Sequence, residues 1–379
     1  MRILVISPKN RTVYNFRGDL IREMIALGHD VSVTGPDMID IEKIEALGVD
    51  FHVVPVNKNG TSILGDLKYM LKLRKLVKAI KPDITFAYTI KPVVYGAMAA
   101  KSAKVKSINS MITGGGYTFT AKTLKAKVIG KIVRTLYKIG LCKSDNVIFQ
   151  NPDDKKEFVD LKLVKENKCH VVNGSGVNVN QFEYSEPPQA ISFLMISRLL
   201  KCKGVYEYLK AAEIVKQKYP EVQFGLLGKY ETAMQDAIPK EDVERYINDG
   251  IVTRYDETPN IAEYYGNCSV YVLPSYREGT PRTVLEAMSC GRAIITTDVP
   301  GCRETVVRGE NGFLVPAYNA QAVAEKMIKF VENPELIGKM GNAARKIAEE
   351  KYDVKKVNNS ILNIIKLSQT GERKDYVTV

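Results

Sequence analysis

Residues 270–297 read VYVLPSYREGTPRTVLEAMSCGRAIITT, and this stretch decides the fold class. Two apolar runs, 270–273 and 293–297, flank a loop and a helical segment that contains Glu286. Runs rich in Val, Ile and Leu without strict alternation are typical of strands buried on both faces of a parallel sheet. The stretch therefore predicts a strand, a helix and a second, parallel strand.

The same alternation continues in both directions along the chain. Further strand-like runs lie at residues 2–7, 30–34, 51–56, 83–89, 106–112, 146–150, 169–172, 191–196, 222–227, 251–255 and 312–315. A polar, proline-rich segment at 183–189 interrupts the series and is interpreted as a linker. The two series predict two doubly wound, Rossmann-like α/β domains facing a central cleft, with ligands beyond the carboxyl ends of the strands.

The expected domains are residues 1–184 and 185–355. A chain of 379 residues is long enough for two such domains, each with its own core. The pattern from 321 to 368 is helical, and residues 356–379 are expected to form a C-terminal helix and tail that pack back on the first domain.

The composition argues against several classes of protein. The six cysteines are scattered without a C-x-x-C pair and there are only three histidines, which disfavours a zinc site, a disulfide framework and a Cys/His catalytic pair. No run reaches the ~18 apolar residues that a spanning helix needs. The apolar start at residues 1–8 is too short for a signal peptide. We expect a cytoplasmic protein whose core does not depend on metal or disulfides.

The net charge of +12 comes from the first half of the chain. Residues 1–184 contain 29 Lys and Arg against 17 Asp and Glu, and residues 84–144 contain eleven Lys or Arg and no acid. Such an excess suits nucleic acid or an anionic membrane surface. Because the stretch has no nucleic-acid-binding motif, no specific nucleic acid partner is expected.

Residues 121–143 concentrate this charge in one predicted helix. Apolar residues recur every four positions while basic residues form a separate stripe, which gives a basic amphipathic helix. The two stripes are Leu124, Val128, Ile132 and Leu136, and Lys127, Lys131, Arg134 and Lys138. The helix can lie on an anionic bilayer, or its apolar stripe can pack on the sheet while the lysines face water. The pattern fits both readings.

The loop and helix after residue 273 have the chemistry of a sugar-phosphate site. Pro281 suits the first turn of a helix, and the amides of Gly279 and Thr280 then lie at a positive helix end, where a phosphate can bind. Glu278 and Glu286 can accept hydrogen bonds from sugar hydroxyls and a ribose diol. The spacing alone fits equally an ordinary loop and helix with two surface glutamates.

The wider context resembles a known family. Glu278 and Glu286 form an E-x7-E pair, followed by LEAMSCGRAIITTD at 285–298 and NGFLVP at 311–316. Upstream, SRLLKCKG at 197–204 has an Arg and a Lys five apart, and NGSGV at 173–177 precedes Phe182. These elements resemble the retaining glycosyltransferase family 4, which has the two-Rossmann-domain GT-B architecture. The resemblance is specific over the second half and looser over the first.

The resemblance implies roles for the donor site. Arg198 and Lys203 would hold the donor diphosphate and neutralise its charge as it leaves. Glu278 would contact the hydroxyls of the transferred sugar. These three are the expected catalytic residues. The other expected donor-binding residues are Glu286 on the ribose, the backbone of Gly279, Thr280 and Pro281, and Tyr255 and Glu257 near the nucleotide base.

The family reaction retains the anomeric configuration, and the leaving diphosphate itself takes the acceptor proton on the same face. The chain contains no D-x-D motif, which agrees with the metal-independent chemistry of this architecture. A UDP-sugar is therefore expected as co-substrate, with no metal and no further cofactor.

The first half is expected to bind the acceptor. The expected residues follow strands or replace the family's glycine pair: Arg17, Gly18, Lys91, Gly114, Gly115 and Gly116. Several relatives have a histidine near residue 90, where this chain has Ile90 and Lys91, so no catalytic histidine is expected.

The resemblance is strongest to bacterial enzymes that add an N-acetylhexosamine to a lipid-linked saccharide, and it implies an acceptor on a polyprenyl diphosphate in capsule, O-antigen or glycan assembly. The basic helix 121–143 would then contact the inner face of the plasma membrane as a peripheral anchor. The alternatives are a transferase acting on a soluble sugar or polymer, and a non-catalytic binder of a sugar nucleotide or nucleic acid.

Overall fold

A computed structural model describes residues 1–57, 62–114, 124–231, 234 and 236–367, with only the backbone at 124–128. The chain divides into two compact units, and each has its own sheet and core. The first comprises Met1–Ser175 and the C-terminal residues from Lys355 onward, and the second comprises Gly176–Val354.

The first unit is built on a seven-stranded parallel sheet in the order β3-β2-β1-β4-β5-β6-β7. Its strands are β1 (Arg2–Ile6), β2 (Asp30–Gly35), β3 (Asp50–Val53), β4 (Ile84–Tyr88), β5 (Ser107–Ile112), β6 (Asn146–Phe149) and β7 (Cys169–Val171). Its helices are α1 (Asn10–Phe16), α2 (Gly18–Ala26), α3 (Ile41–Glu45), α4 (Ile63–Ile80), α5 (Ala97–Ser102), α6 (Leu124–Leu141) and α7 (Pro152–Asp160).

The second unit has a six-stranded parallel sheet in the order β10-β9-β8-β11-β12-β13. Its strands are β8 (Ser192–Ile196), β9 (Gln223–Leu227), β10 (Thr253–Tyr255), β11 (Val270–Leu273), β12 (Ala293–Thr297) and β13 (Gly312–Val315). Its helices are α8 (Val205–Lys218), α9 (Lys240–Asn248), α10 (Ile261–Gly266), α11 (Arg282–Ser289), α12 (Ala320–Glu332) and α13 (Glu335–Ile347). The last helix, α14 (Val354–Ile364), extends into the first unit.

The predicted α/β class with two parallel sheets is confirmed, because every strand-like run of the sequence forms a strand of one of these sheets. Strands β1, β4, β8, β11 and β12 are almost fully buried. Burial on both faces explains why they read as continuous apolar runs.

The chain enters the second unit earlier than the expected boundary at 184/185. Phe182 belongs to the core of the second unit, and the Arg345 guanidinium donates to the carbonyl oxygens of Val179 and Phe182 at 3.2 and 2.9 Å. The buried Arg292 donates to the Ser185 hydroxyl at 2.7 Å. The Arg345 bonds attach the residues just before the predicted linker to the second unit, and the Arg292 bond attaches Ser185 of the linker itself.

At the C-terminus, α14 packs within the first unit. Val357, Ile361 and Ile365 are buried in the same core cluster as Ile3 and Val33 of the central strands. The Asn358 amide also donates to Glu23 of α2 at 2.9 Å. The chain thus returns to the first unit after completing the second.

Candidate functional site

Each sheet has a point at which the strand order reverses, and ligands of doubly wound folds bind beyond the carboxyl ends of the strands there. In the second unit this point lies between the neighbouring strands β8 and β11. Arg198 and Lys203 follow β8, and Glu278 follows β11. The fold therefore gathers the three expected catalytic residues at one edge of one sheet.

Lys203 and Glu278 form an ion pair although they are 75 residues apart. Their side chains are only 20% and 14% exposed, and the Ser275 hydroxyl also donates to Glu278 Oε1, at 2.8 Å. Burial by itself lowers the pKa of Lys203, but the attraction of Glu278 outweighs it, so the pKa of Lys203 is raised. Lys203 therefore stays positively charged throughout the neutral range.

Two glycines let the loops around this pair approach closely. Gly204 has a φ of +74°, and a Cβ there would lie 2.1 Å from the carbonyl oxygen of Pro274. Gly301 has a φ of +84°, and its Cβ would lie 2.3 Å from the carbonyl oxygen of Glu278. Only glycine fits such contacts in the left-handed region. The backbone thus brings Lys203 to the end of β11.

Arg198 lies beside the pair and differs from it in exposure. Its side chain is exposed, and its Nη1 donates to the sulfur of Met234 at 3.2 Å. Among the residues that the structure describes, no carboxylate pairs with Arg198. A guanidinium with this exposure is available to an anion such as a phosphate.

Glu286 is buried in α11 with only 5% exposure. It accepts a hydrogen bond from the Tyr265 hydroxyl at 3.0 Å and one from Nε of Arg282 at 3.0 Å. Burial raises the pKa of Glu286, while Arg282 and Tyr265 oppose the rise. The sequence analysis missed both partners, although Arg282 lies four residues before Glu286, the spacing of neighbours on a helix face.

The loop before α11 is buried. Gly279, Thr280 and Pro281 are all buried, and Pro281 directly precedes the first helical residue, Arg282. The Thr280 hydroxyl donates to the carbonyl oxygen of Gly279 at 3.0 Å. These residues directly follow Glu278 in the chain, and their expected role in the donor site stays a prediction.

The two residues expected near the nucleotide base lie further along the same edge. Tyr255 ends β10, which lies two strands from β8, or about 10 Å away at the usual strand spacing. The half-buried Tyr255 ring packs edge to face on Tyr264, with ring centroids 4.9 Å apart. Glu257 is exposed. No described contact brings either residue to the Lys203–Glu278 pair.

In the first unit, the expected acceptor residues that the structure describes differ in their exposure and contacts. Arg17 is buried at 3% exposure, donates to the Met111 sulfur at 2.8 Å and lies 5.3 Å from the centre of the Tyr88 ring. Gly18, the first residue of α2, is also buried. Gly114 is half-buried after β5, and Gly115 and Gly116 lie outside the described residues.

Lys91, in contrast, lines a cavity of about 700 Å³ at the carboxyl ends of the first unit's central strands. It pairs with Asp66 of α4 at 2.5 Å, and the Tyr95 hydroxyl donates to the other Asp66 oxygen at 3.0 Å. Other lining residues are Lys9, Asp37, Lys68, Tyr69 and Lys72. The sequence analysis missed these residues. The positions of Lys9 and Asp37, shortly after the first and second strands, could have indicated their place.

Among the described residues, no group of three or more His, Cys, Asp or Glu side chains could hold a metal ion. No helix in the described part of the chain is long and apolar enough to span a bilayer.

Two family models match the chain. A glycosyl transferase 4-like model matches residues 2–151, and the glycosyl transferases group 1 model matches residues 178–347. Fold and matches together define a glycosyltransferase with GT-B architecture. The chain thus carries a glycosyl transferase 4-like domain followed by a glycosyl transferases group 1 domain, and the resemblance drawn from the sequence is confirmed.

The chain is similar to two bacterial glycosyltransferases and to a solved crystal structure. The chain is 29% identical over 350 residues, covering 89% of this chain and 91% of the relative, to the N,N'-diacetylbacillosaminyl-diphospho-undecaprenol alpha-1,3-N-acetylgalactosaminyltransferase of Campylobacter jejuni. It is 28% identical to the capsular polysaccharide biosynthesis glycosyltransferase CapM of Staphylococcus aureus, over 79% of this chain and 80% of the relative. The crystal structure of Anabaena Alr3699/HepE in complex with UDP and glucose shares the fold, with a TM-score of 0.79 at 18% identity over 97% of this chain and 99% of that one.

Proposed function

We propose that this glycosyltransferase moves a sugar from a UDP-sugar to a saccharide on a polyprenyl diphosphate in the assembly of a bacterial surface polysaccharide or glycan. The observation that supports the UDP-sugar as donor is the partly buried Lys203–Glu278 pair, with Arg198 beside it, at the carboxyl edge of the second sheet. The acceptor half is supported by the Campylobacter jejuni relative, whose name specifies a diphospho-undecaprenol substrate. That relative also makes an N-acetylhexosamine the first sugar to test.

The donor diphosphate would bind between the two cations that follow β8. Lys203 keeps its charge because its pKa is raised, and Arg198 is exposed to an incoming anion. Glu278 holds the Lys203 ammonium in place and keeps a second carboxylate oxygen for a sugar hydroxyl. Glu286, further along α11, would accept from the ribose hydroxyls.

The proposed reaction retains the anomeric configuration. The acceptor hydroxyl oxygen forms a bond to the anomeric carbon on the face from which the diphosphate leaves, and the bond from that carbon to the diphosphate oxygen breaks. The acceptor proton passes to the same leaving oxygen, so the protein needs no base of its own. Lys203 and Arg198 offset the negative charge that grows on the diphosphate.

We further propose that the reaction needs no divalent cation. The positive charge that a metal supplies to the diphosphate in other transferases would here come from Lys203 and Arg198. Activity that persists in EDTA supports this part of the proposal, and activity that is lost in EDTA and restored by Mg²⁺ or Mn²⁺ contradicts it.

The decisive experiment measures UDP release from a panel of UDP-sugars, with and without a short polyprenyl-diphosphate saccharide. Release that needs the lipid-linked acceptor supports both halves of the proposal, and nuclear magnetic resonance of the product then reports the anomeric configuration. Release with soluble sugars alone would keep the enzyme and overturn the acceptor class. No release with any UDP-sugar would overturn the donor.

A further inference from the structure

Helix α4 has two apolar faces, and the residues that the structure describes cover only one of them. Tyr69, Leu73 and Val77 are buried against the first unit. Ile63, Leu64, Leu67 and Leu71 are instead 84%, 72%, 47% and 50% exposed. These four residues are called the α4 stripe below. A monomeric protein rarely leaves large aliphatic side chains grouped in water without a partner for them.

The α4 stripe is a continuous surface. Ile63, Leu67 and Leu71 follow one another at four-residue intervals, which places them on one side of a helix. At 3.6 residues per turn, Leu67 and Leu71 lie about 120° and 160° around the axis from the buried Leu73. The stripe therefore faces away from the core on which α4 packs.

Positive charge surrounds the stripe. The exposed cations of α4 are Lys68, Lys72, Arg74, Lys75 and Lys78. None of these five has an ion-pair partner within the described ranges. The single acid of the helix, Asp66, is already paired with Lys91. A second copy of the same chain would bring like charge against this surface, whereas an anionic surface would be attracted to it.

The stripe also adjoins the cavity of the first unit. Gly65, Asp66, Lys68, Tyr69 and Lys72 of α4 line that cavity. On the other side of it, Pro36 and Asp37 precede Met38 and Ile39, which are 58% and 68% exposed. Exposed apolar side chains thus flank the lining residues on two separate segments.

We propose that the α4 stripe docks on an anionic phospholipid bilayer, with its leucines in the interface and the cations of α4 against the lipid phosphates. Apolar insertion combined with flanking Lys and Arg is the way interfacial helices bind such membranes. The cavity would then open beside the lipid surface, where a lipid-linked acceptor resides. That last consequence rests on the proposed function, but the docking itself does not.

This assignment differs from the one drawn from residues 121–143. Of the apolar stripe predicted in α6, Leu136 is partly buried and Ile132 is exposed, while the neighbouring Tyr137 and Leu141 are buried. Ile132 and Ile139 remain exposed, and they provide a matched comparison. Leu124 and Val128 have no described side chains.

The test is co-sedimentation of the full chain with vesicles of phosphatidylglycerol and phosphatidylcholine, and with vesicles of phosphatidylcholine alone. Leu67→Gln with Leu71→Gln should weaken binding to the anionic vesicles at least tenfold, on the order of what one buried aliphatic side chain contributes. Arg74→Gln with Lys75→Gln and Lys78→Gln should weaken it about a hundredfold at low salt. Ile132→Gln with Ile139→Gln should leave binding unchanged.

Several results would overturn the proposal. They are absence of binding by the unaltered chain, unchanged binding by the Leu67/Leu71 variant, or loss of binding in the Ile132/Ile139 variant instead. Self-association in the analytical ultracentrifuge that the Leu67/Leu71 change abolishes would assign the stripe to a second copy. Circular dichroism checks that each variant is folded. We expect all of them to fold, because substitutions at exposed positions usually change stability little.

The results expected if the proposed function is wrong differ from those expected if the docking surface is wrong. The Leu67/Leu71 variant should transfer sugar normally to a short, water-soluble prenyl-diphosphate saccharide, because none of its changes lies in the donor site. A chain that binds anionic vesicles yet transfers nothing to any lipid-linked acceptor keeps the docking surface and contradicts the proposed acceptor.

Discussion

Each unit has a lysine–carboxylate ion pair beside the point at which the strand order of its sheet reverses. The two pairs differ in the elements that supply the lysine and the carboxylate. In the second unit, Lys203 and Glu278 come from the loops after the two central strands, at a point where Gly204 meets the backbone of Pro274. In the first unit, Lys91 follows β4 but its partner, Asp66, comes from the flanking helix α4. One pair is built into the edge of a sheet, and the other connects a sheet to a helix with an exposed apolar stripe.

The two units also differ in how much apolar surface and positive charge they expose. Of the sixteen large apolar side chains that are exposed in the described part of the chain, thirteen belong to the first unit. The positive charge excess also comes from residues 1–184. The same type of fold therefore carries a largely buried ion pair at the sheet edge of the second unit and an apolar, basic surface on the first.

The largest effect is expected from breaking the pair of the second unit. Lys203→Ala removes a charge that would stabilise the departing diphosphate, so kcat should fall by about 10³-fold. Lys201→Ala is the matched control, because Lys201 is exposed in the same turn and should keep near-normal turnover. Steady-state UDP release measures both. Comparable rates for the two variants would remove Lys203 from the donor site.

The close approach of the Gly204 and Pro274 backbones, which supports this pair, can be disrupted separately. Gly204→Ala puts a Cβ 2.1 Å from the Pro274 carbonyl oxygen at a positive φ, so the loop must shift. We expect a loss of about 2–4 kcal/mol in the free energy of unfolding, measured by urea denaturation. Gly250→Ala is the control, since Gly250 has a similar φ of +67° and no atom within 4 Å of its Cβ. It should cost about 1 kcal/mol.

Breaking the pair of the first unit should affect the acceptor rather than the donor. Asp66→Asn removes the carboxylate that Lys91 contacts at the cavity wall, so the KM for a lipid-linked acceptor should rise by about tenfold while the KM for the UDP-sugar stays constant. An equal change in both values would contradict the division of roles between the units.

The smallest effect concerns the pH dependence of stability. Because burial raises the pKa of Glu286 above its ordinary value of 4.5, the folded state binds this proton more tightly than the unfolded state does. The free energy of unfolding should therefore decrease as the pH rises from about 4.5 through the raised pKa of Glu286. The Glu286→Gln variant should lack this pH-dependent part of the free energy of unfolding. Urea denaturation across that range, compared between the two proteins, measures the difference.

Much of the fold could be predicted because its signals are local. The apolar runs at 270–273, 293–297 and 312–315 form strands with the expected bounds. The E-x7-E pair, with SRLLKCKG upstream, correctly indicated the family. The acceptor side was harder to predict. Arg17 lies in the exposed-looking polar segment of 7–18, but the structure buries it against Met111 and Tyr88, which are distant in sequence.

By itself, the sequence determined the two parallel α/β domains, the glycosyltransferase resemblance and the E-x7-E and SRLLKCKG motifs, since hydrophobic periodicity and motif spacing are properties of short segments. Only the tertiary structure decided that Lys203 pairs with Glu278, that Lys91 pairs with Asp66, and that the α4 stripe stays uncovered. The physical reason is that a helix with two apolar faces can bury either one. Which face meets the core depends on strands and helices that lie far away along the chain.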